Sequence, residues 1–75
     1  MKTFTVLARF TPDGSLLLVG YYQARMEVGA LRQGIESASR QTENIYSIVA
    51  VPHVEGEQHS DTLARANAVL RGETV

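Results

Sequence analysis

The sequence predicts an α+β domain: a three-stranded, mainly antiparallel sheet with two helices, in the order β-β-α-β-α. Three observations predict it. Two strand-like runs flank Thr-Pro-Asp-Gly at Thr11 to Gly14, which reads as a hairpin turn. Val28, Leu31, Ile35 and Ala38 recur three and four apart, the spacing of one helical stripe. A third apolar run ends at Pro52 and is followed by a polar loop and a second, shorter helical stripe. Seventy-five residues make a single domain, 1–75, with a small core.

In the turn, proline presets φ, aspartate bonds its own backbone, and Gly14 is expected in the left-handed position. The first strand, about Thr3 to Phe10, alternates: Phe4, Val6, Ala8 and Phe10 on one face, Thr5, Leu7 and Arg9 on the other. The second, about Leu16 to Ala24, is apolar on both faces, as in a strand covered on both sides. Gly20 marks a bulge or a close approach within it.

The first helix is expected over about Met26 to Gln41, with Arg32, Glu36, Arg40 and Glu43 mostly off its apolar stripe. Glu36 and Arg40 form a favourable i,i+4 pair. Gly34, beside the stripe, lets the helix backbone come close to the sheet. No good N-cap precedes this helix, and Asn44 is a candidate left-handed stop.

The third strand, about Ile45 to Val51, is again apolar on both faces. Ser60 and Asp61 are candidate N-caps for a second helix over Thr62 to Leu70. Gly72 suits its C′ position, and the last three residues are expected to fray. One good amphipathic helix covers one face of a sheet. The apolar surface left over must meet the second helix, a second copy of the chain, or a target.

Composition narrows the function classes. A net charge of −1, from seven basic and eight acidic residues, lacks the basic field of a nucleic-acid binder. No cysteine is present, so disulfide frameworks and thiolate zinc sites are excluded. No apolar run reaches the roughly 20 residues of a membrane span, and the alternating N-terminus is not a signal peptide, so the sequence reads as cytoplasmic. Six of seven basic residues are arginine, a type favoured at protein interfaces, though coding bias produces the same skew.

Candidate chemistry is sparse. His53, Glu55, Glu57 and His59 are metal-ligand types on one loop, but without a metal-site spacing, and they read as a solvated loop with no metal or cofactor. Ser37, Ser39, Ser47 and Ser60 lack any strained nucleophile turn, so no enzyme is expected. Tyr21, Tyr22 and Tyr46 are expected on neighbouring strands, packed under a helix or at a protein interface. Arg25, Arg32, Arg40, Arg65 and Arg71 read as solvated helix faces or interface rims. Hot-spot composition makes Arg9, Tyr21, Tyr22 and Arg25 the candidate protein-interface residues.

Two resemblances add to this reading. Phe4-Thr-Val, Asp13-Gly14, Tyr21-Tyr-Gln-Ala24, Tyr46-Ser-Ile-Val-Ala-Val51 and Glu55-Gly-Glu57 together look like small orphan proteins of bacteriophages and mobile elements. Those proteins include compact inhibitors of host defence such as anti-CRISPR proteins. The resemblance implies a non-enzymatic inhibitor that blocks a large host complex by surface contact, with a homodimer as one form. No binding residue carries over from it.

Separately, Glu27-Val-Gly-Ala30, the helix it opens, and Ile45-Tyr-Ser-Ile-Val-Ala-Val-Pro52-His53 are similar to the second helix and last strand of the bacterial microcompartment shell domain. That resemblance implies a self-assembling oligomer subunit. The shell domain's first strand and first helix have no counterpart here. A small nucleic-acid-binding domain is the third alternative.

Overall fold

The computed structural model describes residues 1–40 and 44–72. It contains β1 (Lys2–Arg9), β2 (Leu17–Ala24), α1 (Glu27–Ser39), β3 (Ser47–Pro52) and α2 (His59–Leu70), the order read from the sequence. The expected Gln41 helix end, Glu43 and residues 73–75 lie outside the described residues.

The sheet is antiparallel throughout, in the order β2-β1-β3. β1 is therefore the central strand and is buried on both faces, although its alternation suggested one apolar side. Phe4, Val6 and Ala8 face α1, while Thr5 and Leu7 face the opposite way and are equally buried. Tyr21 and Tyr22 of β2 are not on a strand adjacent to Tyr46, because β1 lies between β2 and β3.

The hairpin turn closes with a bond from Gly14 N–H to Thr11 C=O, 3.2 Å. Gly14 does not have a positive φ. A Cβ there would meet the Thr11 hydroxyl, which would have to turn away. On β2 the register slips between Val6 and Leu7: Gly20 pairs with Val6 and Leu18 with Leu7, leaving Val19 as a bulge residue. The Tyr22 phenol lies over Gly20, within 2.9 Å of where a Cβ would sit, so both expectations for this glycine hold.

The two helices pack on opposite faces of the sheet. α1 buries Ala30, Gly34 and Ala38, spaced four apart, against Phe4, Val6, Ala24 and Ala50. This is not the predicted stripe. Only Ala38 belongs to both, Leu31 is half-buried, and Val28 and Ile35 remain 61% and 43% exposed. The small residues win because they let the helix axis approach: a Cβ at Gly34 would stand 2.6 Å from Val6 Cγ1. α1 has no side-chain N-cap, as expected, but ends at Ser39 with Arg40 as C-cap, before Asn44. The exposed Glu36–Arg40 pair is present at 3.7 Å.

α2 packs Ala66, with Leu63 and Val69, against Leu7, Leu16, Val49 and Val51. It begins at His59, three residues before the expected Thr62, and its N-cap is Gln58, not Ser60 or Asp61, with no side-chain cap bond. Gly72 takes φ +81° and donates to Val69 C=O at 2.9 Å, the expected left-handed stop.

Candidate functional site

A helix is about 10 Å wide and strands lie about 4.8 Å apart, so one helix spans about two strands. α2 sits over β3 and reaches Leu7 of β1. On that face β2 is left without a roof. Leu18 is 44% and Tyr21 58% exposed there, although both belong to a strand the sequence marked as covered on both sides. The difference arises because α2 is displaced toward the β3 edge.

A polar tie accompanies this placement. Between β3 and α2 the loop turns back through Gly56, φ +80°, and Glu57 meets α2. Arg65 Nε donates to Glu57 Oε2 at 3.0 Å and Arg65 Nη2 to Oε1 at 2.6 Å, while the Thr62 hydroxyl donates to Oε1 at 2.7 Å. Arg65 Nη2 also donates to Pro52 C=O at 2.9 Å. One guanidinium thus ties loop, helix and the end of β3 together with charge-assisted bonds. The Arg65 bonds, then the Thr62 hydroxyl, hold the Glu57 carboxyl below its usual range. Arg65 is therefore not a solvated helix face, and Glu57 is not a free loop carboxylate. Spacing alone did not reveal this pair, because eight residues and a helix start separate its members.

Beside this tie lies a cleft of about 90 Å³, lined by Thr5, Leu18, Tyr21, His53, Val54, Glu57, His59 and Thr62. Its volume falls well short of the roughly 300 Å³ at which small-molecule pockets begin. The Thr5 hydroxyl and His53 Nδ1 are 3.2 Å apart, the donor being set by the ring's tautomer. Thr5 is buried, and this hydroxyl–imidazole contact holds the His53 ring against β1. The Tyr21 ring meets the His53 ring edge-on, centroids 5.0 Å apart. Among the described residues no group of three or more His, Asp or Glu side chains is arranged to hold a metal ion.

The four interface candidates do not form one patch. Tyr21 is exposed on the α2 side. Tyr22, half-buried, lies on the α1 side beside Gln33, Glu36, Ser37 and Arg40. Arg9 ends β1 opposite Ser47, whereas Arg25 follows Ala24, the partner of Lys2 at the other end. Seven residues of strand, roughly 23 Å, separate those ends. The structure instead groups Tyr21 with Leu18 and Val54 around the His53 ring. Val54 lay in a loop read as polar, so periodicity gave no signal for it.

What the fold and site define is a small α/β/α-layered domain with one strand, β2, uncovered on one sheet face. Comparison with protein-family models, curated proteins and solved structures found no match to this chain. No helix among the described residues is long and apolar enough to cross a membrane.

Proposed function

We propose that the chain is a non-enzymatic protein-binding module whose contact surface is the uncovered face of β2. The observation that carries the reading is the exposure of Leu18 and Tyr21 on a sheet whose other strands are roofed on both sides. An apolar floor with an aromatic ring, bordered by His53, His59 and the N-terminal end of α2, has the apolar centre and polar rim of a docking site. In its finer form the proposal is the one the sequence resemblance implies, a small inhibitor that blocks a larger complex by contact.

A photo-cross-linking amino acid at Leu18, in cells that carry the protein's natural partners, tests it. The expected result is a discrete protein adduct at position 18 and none at exposed Ser39, on α1 across the sheet. Equal labelling from both positions refutes the site.

A further inference from the structure

The outer edge of β2 is as open as its face. His53 N–H donates to Thr3 C=O at 2.9 Å and Tyr46 N–H to Arg9 C=O at 2.8 Å, so the odd-numbered residues of β1 turn their backbone groups toward β3. By strand alternation Phe4 and Val6 then bond to β2, through Tyr22 and Gly20. Tyr21 and Gln23 are left pointing outward. Gln33 of α1 confirms the sense, donating from Nε2 to Gln23 C=O at 2.9 Å. At the other edge Pro52 has no N–H, and its carbonyl is taken by Arg65. Tyr21 keeps one outward N–H and one outward C=O at the middle of its strand.

We propose that two copies of this chain pair antiparallel along β2, about a two-fold axis at Tyr21, joining two three-stranded sheets into one of six strands. The inference rests on the protein-binding reading above and names the partner of its edge. A two-fold axis at a hydrogen-bonded antiparallel pair needs one residue whose N–H and C=O both point outward to its own copy, and Tyr21 has them by strand alternation.

Leu17–Ala24 contains no charged residue and no proline, two of the devices by which edge strands avoid self-pairing; its one protective irregularity, the bulge at Val19, limits flat pairing to the stretch from Val19 to Gln23 around Tyr21. No like charges are therefore brought opposite one another within the strand. The antiparallel sense also sets the Arg25 end of one copy toward the end of the other that follows the Asp13 turn. In the pair, the Leu18 and Tyr21 side chains of both copies form one floor between the two α2 helices, so the docking face stays open.

The test is solution mass by light scattering of the full chain over a concentration series, with Y21K, Y21E and their equimolar mixture. Wild type is expected to reach twice the monomer mass. Each variant alone sets like charges across the axis and should dissociate at least about tenfold more readily. The mixture should recover the dimer. Circular dichroism melts within a few degrees of wild type show that both variants fold, as expected for an exposed side chain.

A wild type that stays monomeric up to about 1 mM, a dimer that survives in Y21K, or a mixture that stays monomeric overturns the pairing. Adducts from position 18 to other proteins alongside a monomeric wild type remove the pairing and leave the docking reading standing. Rescue by opposite charges without such adducts does the reverse.

Discussion

Gly34 and Gly29 stand five positions apart in α1, and alanine at each should move stability in opposite directions. In a helix interior the exchange favours folding by about 1 kcal/mol through backbone entropy. At Gly34 the new methyl stands 2.6 Å from Val6 Cγ1 and 3.3 Å from Val6 Cβ. Val6 is fully buried on the central strand, with strands on both sides and nowhere to move. Overpacking of this kind costs about 1–3 kcal/mol.

The net expectation for Gly34→Ala is a loss of about 1 kcal/mol, a fall in Tm of roughly 4–8 °C for a domain of this size. At Gly29 the methyl meets only Ala24 Cβ, at 3.1 Å, at the end of an edge strand that can give. Gly29→Ala should gain about 0.5 kcal/mol, roughly 2–4 °C. Urea and thermal melts of both variants measure this. Combining Gly34→Ala with Val6→Ala should cost less than the two separately, by about 0.5 kcal/mol or more, because the second change removes the clashing methyl. Stabilisation by Gly34→Ala alone would refute the claim that the small-residue ridge sets the distance between helix and sheet.

Three further expectations follow from single contacts. Glu57 has its carboxyl held low by Arg65, so the stability it contributes is present above the ordinary carboxylate range and is lost as pH falls through its lowered value; urea midpoints of Glu57→Gln should lie below wild type at pH 7 and converge with it in acid, and parallel pH profiles would contradict this. Thr5→Val removes the hydroxyl beside His53 Nδ1 while keeping the buried shape; because exposed His53 can turn to water, the loss should be about 1 kcal/mol or less, and the His53 ring resonances in NMR should shift. Gly72→Ala places a side chain at φ +81° with nothing within 4 Å, so its cost is conformational alone, about 1 kcal/mol by chemical denaturation, and asparagine there should recover part of it.

The sequence by itself determined the elements and their order. Strand alternation, helical spacing, the Thr11–Gly14 turn, the proline that closes β3 and the glycine stop at Gly72 are local signals, each governed by the conformational preferences of a few neighbouring residues. It also located the two glycines where backbones come close, Gly20 and Gly34, since a missing side chain within a regular element is itself a signal. Tyr21 could be named as a contact candidate by residue type alone.

Only the tertiary structure decided which strand is central, which stripe of α1 is buried and where α2 lies. Apolar side chains record that burial is favourable but not what buries them. Val28 and Ile35 could therefore be read as core while Ala30 and Gly34 occupy it. The Glu57–Arg65 tie depends on a loop returning to a helix, a distance that no spacing rule encodes. Together with the packing of Ala66, Leu63 and Val69 it seats α2 over β3, which leaves uncovered the face of β2 on which the proposed function rests.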